Sequence, residues 1–218
     1  MPSTTLISRI HSALERHYGP KRAGKARNNP LDELIYTILS QNTSDINSHR
    51  AFKMLRQVMP TWEEVHRASE RNVAAAINSG GLAKLKAARI KAVLSQIHRE
   101  QGHFDLTFLR DLSIEEVKAY LSRFKGIGPK TVACVLLFSL GKPAFPVDTH
   151  VHRVVSRLGL VSAKVSPERT QALLESMVPP ALYYSMHMNM VEHGRKTCKA
   201  RAPLCHACPL SKLCAYVR

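Results

Sequence analysis

Acidic side chains are in short supply. Sixteen Asp and Glu stand against 32 Lys and Arg in 218 residues, a formal net charge of +16. An excess of that size favours a polyanionic partner, because every phosphate neutralised by a basic side chain releases condensed counterions. A long apolar run is also missing. No stretch reaches the roughly 18 residues that a membrane span needs, so no membrane partner is expected. The first residues, Met1 to Tyr18, lack the apolar core of a secretory leader and read as an amphipathic helix, with Leu6, Ile10 and Leu14 four residues apart. Cysteine is sparse until the end. There are five, and four of them fall in the last 21 residues. An odd, clustered set argues against a secreted disulfide framework and for metal or cluster ligation in a reducing compartment, so the cytoplasm and its nucleoid are the expected location.

Alternating strand patterns are absent as well. The apolar periodicity is helical almost throughout, and the length suffices to bury a proper core in one large domain or two small ones. A basic segment, Lys21 to Asn29, reads as a loop. Pro30 opens a second helix with Leu31, Leu34, Ile35, Ile38 and Leu39 inward. The polar run Gln41-Asn42-Thr43-Ser44-Asp45 breaks it. A third helix carries Ile46, Phe52 and Leu55 and stops before Pro60. Thr61 with Glu64, and Ser113 with Glu116, fit the capping-box pattern. Asn78 to Gly81 forms a turn before a long helix with Leu85, Ile90, Val93, Leu94 and Ile97, which Gly102 can end. The reading is an all-α fold of about ten helices.

The segment from Ile114 to Leu140 has a distinct character. A short helix ends near Phe124. Lys125-Gly126-Ile127-Gly128-Pro129-Lys130-Thr131 follows, and then an apolar helix from Val132 to Leu140. Two glycines one residue apart permit a tight turn and a close backbone approach to a ligand. Pro129 suits the first helical position, where its missing N–H costs nothing. The free N–H groups of a helix start suit a phosphate. The unit is therefore a candidate clamp for a DNA backbone, or an ordinary αα-turn.

The segment Leu121 to Ala133 closely resembles the helix–hairpin–helix of the endonuclease III superfamily. Pro146-Val147-Asp148-Thr149-His150-Val151-His152-Arg153 resembles that family's Gly/Pro-rich loop with its catalytic aspartate. With the cysteine array described below, the likeness runs from about Asn29 to Cys214. It implies two helical lobes. One spans residues 30–141 and holds the hairpin; the other joins 1–29 to 142–218 and holds an iron–sulfur cluster, with DNA in the cleft between them. It implies a bifunctional DNA glycosylase and abasic-site lyase of base-excision repair, in which Lys130 and Asp148 are catalytic. The residue type at position 130 matters here, because relatives that excise a base without cutting the strand carry something other than lysine there. Taken singly, Lys130 reads as a solvated or phosphate-contacting residue, and Asp148 before Thr149 as a helix N-cap.

The chemistry needs an amine that can shed its proton, since only the neutral form attacks C1′ of the damaged nucleotide. A nearby carboxylate can stabilise the cationic sugar and assist proton transfer. The target base must first leave the stack, at a cost of a few kcal/mol, and something must fill its place. The resemblance assigns that task to Asn42, where the family carries a longer glutamine, and to Leu82 as an apolar wedge. Otherwise Asn42 reads as a turn residue and Leu82 as core. Further DNA contacts are implied for Lys125, Gly126, Ile127, Gly128 and Thr131 in the hairpin, for His150 and Arg153 beside the aspartate, and for Arg195.

Cys198-x6-Cys205-x2-Cys208-x5-Cys214 is the most specific pattern in the chain. Thiolates this close are held apart by a metal. Zinc sites usually pair two C-x2-C units or add histidines, and only His206 is near. The spacing differs from the bacterial ferredoxin run. It matches the endonuclease III cluster loop, which implies a [4Fe–4S] cluster on Cys198, Cys205, Cys208 and Cys214. Lys199, Arg201 and Lys212 make the loop basic, which suits phosphate positioning. Cys134, on an apolar helix face, reads as a core thiol. The expected partner is double-stranded DNA with damaged bases or abasic sites, bound by a monomer. Oxidised pyrimidines are the expected substrates; pyrimidine dimers, mismatched thymine, a catalytically silent DNA-binding module and a cluster-based redox sensor are the competing readings.

Overall fold

The structure is a computed structural model, which describes residues 4–24 and 29–217. Part of the expected basic loop, residues 25–28, lies outside the described residues, as does the first turn of the expected N-terminal helix. Every regular element among the described residues is helical. None of these helices is long and apolar enough to cross a membrane. The chain forms two compact units, one made of residues 27–141 and the other of 1–26 with 142–218.

The continuous unit holds α2 (Pro30–Leu39), α3 (Asp45–Val58), α4 (Trp62–Arg67), α5 (Glu70–Ala76), α6 (Ala83–Gln101), α7 (Ile114–Ser122) and α8 (Pro129–Cys134). Local chemistry explains most of their ends. The Asn29 carboxamide accepts from the Leu31 N–H at 2.9 Å, and Pro30 occupies the first helical position. Both expected capping boxes form, Thr61 with Glu64 on α4 and Ser113 with Glu116 on α7. Gly102, at φ 74°, ends α6. Helix α2 buries Leu31, Leu34, Ile35, Ile38 and Leu39 completely, and packs against α3, α6 and α8. Burial of such side chains is worth about 1.5–3 kcal/mol each.

Three details depart from the periodicity. Ile46 is 73% exposed and Leu85 55% exposed, although both fall within apolar helical patterns. Each sits in the first turn of its helix, beyond the reach of the core. The expected single helix from Val132 to Leu140 is α-helical only to Cys134 and π-helical over Val135–Leu140. Wider π turns rotate each residue through a smaller angle, which keeps Val135, Leu136 and Leu137 together on the buried side.

The discontinuous unit holds α1 (Thr4–Tyr18), α9 (Thr149–Leu158), α10 (Pro167–Met177) and α11 (Tyr183–Lys196). Helix α1 buries Ile7, Ile10 and Leu14. Its last residue fastens it to α11, where the Tyr18 hydroxyl meets Thr197 Oγ1 at 2.7 Å and His193 Nδ1 at 2.9 Å. Helix α9 packs against α11 and against the turn Ala215–Val217.

Candidate nucleic-acid interface and cysteine centre

Lys130 lies in the first turn of α8, directly after Pro129, and is half-buried. Gly126 takes φ 82°, open to glycine at little cost, while Gly128 is extended. Gly126 is also crowded: a Cβ there would come within 2.3 Å of Arg89 Nε. Lys125 is exposed. Ile127 and Thr131 are not; they are 6% and 3% exposed. The expectation that both meet DNA is therefore corrected for their side chains, which are spent on packing, and only backbone contacts are left to them. The Thr131 N–H already donates to the Gly128 carbonyl at 3.0 Å.

Asn42 and Leu82 share an uncommon backbone. Three non-glycine residues have positive φ among those described, and these are two of them, both at 51°. Left-handed backbone costs an L-residue about 1–2 kcal/mol, and such strain gathers at functional positions. Both residues are exposed, Leu82 by 52%. A large apolar side chain held in strained backbone and pointed at water contributes nothing to the core.

The two loops are organised from α6. Lys86, only 2% exposed, donates to the Leu39 carbonyl and to the Gly80 carbonyl, each at 2.7 Å. Burial lowers its pKa from the ordinary lysine range. One turn further on, Arg89 Nη1 donates to Gln41 Oε1. Neither residue was singled out by its sequence neighbourhood. The signal was present, because Lys86 occupies the apolar stripe that continues through Ile90, Val93 and Ile97. A lysine in a core register is an anomaly that asks for buried acceptors.

In the other unit, Asp148 is half-buried at the start of α9, and its Oδ1 accepts from the Val151 N–H at 2.7 Å. The cap uses one carboxylate oxygen. His150 and Arg153 lie side by side, with His150 Nδ1 3.0 Å from Arg153 Nη2. Arg153 donates to the carbonyls of Cys198 at 3.0 Å, Gly194 at 2.8 Å and Thr149 at 3.3 Å. Its guanidinium anchors the start of the cysteine loop. Arg195 is exposed near the end of α11.

All four C-terminal cysteines are free thiols and line one partly open cavity with Val154, His193 and Leu210. Arg157 Nη1 donates to Cys198 Sγ at 3.4 Å, and the Leu210 N–H to Cys208 Sγ at 3.4 Å. His193 Nε2 is 3.8 Å from Cys208 Sγ. Burial, with added repulsion from the charges of His17 and Arg153, lowers His193 to about 4, so its ring is neutral. Burial pushes the Cys208 thiol up, and repulsion from Cys214, Cys198 and Cys205 adds to the rise. Thiolates gathered this way are stable only around a positively charged centre. A single zinc would draw sulfurs at about 2.3 Å from the metal to roughly 3.8 Å of one another. Among the described residues no three His, Cys, Asp or Glu side chains are so arranged. Four soft thiol donors lining one cavity are a donor set suited to a metal ion or an iron–sulfur group.

The fold is that of an all-helical base-excision protein. The model of the HhH-GPD superfamily base excision DNA repair protein matches residues 35–180. Endonuclease III of Thermotoga maritima is 36% identical over 189 residues, covering 87% of this chain and 84% of its own length. An Arabidopsis thaliana protein assigned as a DNA glycosylase, At3g47830, is 43% identical over 165 residues, or 76% of this chain; the match spans 56% of the plant protein. The solved structure of a trapped endonuclease III–DNA covalent intermediate superposes with a TM-score of 0.85 at 26% identity, covering 100% of this chain and 98% of that one. The chain belongs to the endonuclease III branch of the HhH-GPD superfamily, a family of DNA glycosylases.

Proposed function

We propose that this protein is a bifunctional DNA glycosylase and abasic-site lyase that removes oxidised pyrimidines from double-stranded DNA. The observation that carries the reading is Lys130: a primary amine in the opening turn of a helix, immediately after Gly128-Pro129, in a member of the endonuclease III branch. That the solved neighbour is a covalent intermediate of endonuclease III with DNA supports the same chemistry.

In this account the flipped nucleotide presents C1′ to Lys130. The Nζ lone pair attacks C1′, the C1′–N bond breaks, and the base leaves with the bonding pair and takes up a proton. One proton of the resulting ammonium passes to O4′ as the C1′–O4′ bond breaks, which opens the sugar and leaves a protonated Schiff base. Removal of a C2′ proton then expels the 3′ phosphate with the C3′–O electrons, and water releases the lysine. Asp148 supplies the carboxylate that stabilises the cationic sugar and passes protons. Its second oxygen is the one for this work, since Oδ1 holds Val151. Asn42 and Leu82 fill the gap left by the base, and Lys125, the hairpin backbone, His150 and Arg195 meet phosphates.

Cys198, Cys205, Cys208 and Cys214 would hold a [4Fe–4S] cluster. Its contribution is structural: bound there, it relieves the thiolate repulsion and fixes the basic loop. Arg157, which donates to the carbonyls of Lys199 at 2.7 Å and Ala200 at 3.1 Å and lies over the Tyr216 ring, holds the same loop from the protein side.

Duplexes that each carry one defined lesion, assayed for base release and strand cleavage, test the proposal. Oxidised pyrimidines should be released with cleavage at the same site. Preference for dimers or mismatched thymine would move the lesion assignment. Release without cleavage would remove the lyase, and binding without release would leave a DNA-binding module.

A further inference from the structure

Lys86 is among the largest fully buried side chains, and its ammonium makes the two carbonyl contacts described above. Those carbonyls are not arbitrary. Leu39 is the last residue of α2, so its carbonyl lacks a partner within the helix. Gly80 closes the turn Asn78–Gly80, just ahead of Gly81 at φ 68°. Asn42 lies three residues beyond the first acceptor and Leu82 two beyond the second. The same nitrogen therefore sits at the root of both loops. A cation at a helix C-terminus is favoured by the dipole, which helps offset the cost of burying the charge.

Arg89 extends the arrangement. It is one turn along the same face of α6, donates to Gln41 beside Asn42, and lies against Gly126 of the hairpin. Two basic side chains of α6 thus reach the loop of Asn42, the loop of Leu82 and the hairpin at Gly126.

We propose that Lys86 is a positioning residue: a single buried ammonium that locks the loop carrying Asn42 to the loop carrying Leu82, so that both side chains enter the emptied base stack as one preformed unit. The inference rests on the reading of these loops as gap-fillers. Its consequence is selective. Extraction of a base from a duplex needs the loops in register, whereas attack of Lys130 on an abasic site in a single strand, which has no gap to fill, does not. A stability role alone would lower both.

The test compares the wild-type protein with Lys86→Met, which keeps the shape and removes the charge. The readouts are kcat/KM for base release from lesion duplex and borohydride trapping on a single-stranded abasic oligonucleotide. Lys86→Met should lose about tenfold or more on duplex, equivalent to ~1.4 kcal/mol, and trap the single strand as the wild type does. In a double-mutant cycle, Lys86→Met combined with Leu82→Ala should be within about twofold of Leu82→Ala alone, because the two changes disable one device. Where Lys86→Met does not fold, Lys86→Gln decides by the same ratio, since its neutral amide nitrogen sits one carbon closer to the backbone and cannot reach both carbonyls. Unchanged duplex activity, equal loss on both substrates, or additive losses in the cycle would each overturn the inference and leave the proposed enzyme standing. A wild-type protein that traps neither substrate would remove both.

Discussion

The two hairpin glycines should fail in different ways when substituted. At Gly126 the backbone is left-handed, φ 82°, and a methyl group would lie 2.3 Å from Arg89 Nε and 2.6 Å from its Cζ. Left-handed backbone costs alanine about 1–2 kcal/mol. The guanidinium is flexible and can move aside, but moving it breaks the Arg89–Gln41 hydrogen bond, worth about 1.5–3 kcal/mol for a charged donor. Gly126→Ala should therefore lose about 2.5–5 kcal/mol, seen as a fall in Tm of roughly 5–20 °C in a protein of this size. Gly128 has φ −101° and nothing within 4 Å of a built Cβ. Gly128→Ala should leave stability within about 0.5 kcal/mol, and should weaken DNA binding because the methyl stands where a phosphate meets the backbone. Thermal melts and fluorescence-anisotropy titrations on one duplex separate the two effects. A Gly126→Ala protein that melts with the wild type, or a Gly128→Ala protein that binds as well as the wild type, would refute the reasoning.

Asp148 has two separable duties. Asp148→Ala should lose the α9 cap and about 1 kcal/mol of stability along with activity, while Asp148→Asn should keep the cap and the melting temperature and still lose base release. Leu82→Gly should unfold no earlier than the wild type, and up to about 1 kcal/mol later, because the strained backbone relaxes and the side chain is already exposed; its base-release rate should fall. Analysis of the wild-type protein should find iron and sulfide, Cys205→Ala should lose both, and oxidative removal of iron should lower the melting temperature of the wild type but not of that variant. Arg153→Met should produce a similar but milder loss of iron, since its guanidinium holds the Cys198 and Gly194 carbonyls.

Much of this was legible from the residues. Capping boxes at Thr61 and Ser113, the stop at Gly102 and the break after Leu39 all rest on short-range chemistry, and each forms. Apolar spacing placed the stripes but not their ends: Ile46 and Leu85 keep the helical register yet lie in first turns that the core does not reach. The strained backbone at Asn42 and Leu82 left no trace in composition, since glycine is the ordinary residue for such angles. The anchoring of the cysteine loop by Arg153 was not legible, because only tertiary contact shows which carbonyls a basic side chain meets. Lys86 was hidden for the same reason, although its place in the stripe with Ile90 and Val93 marked it.

The account turns on a covalent bond between Lys130 and the sugar of a damaged nucleotide. Borohydride reduction of the protein on lesion duplex, followed by peptide mass spectrometry, reads that bond directly. The modified peptide should contain Pro129 and Thr131 with the nucleotide remnant on Lys130, and Lys130→Ala should give no adduct. An adduct carried by another amine, or one that persists in Lys130→Ala, would contradict the mechanism.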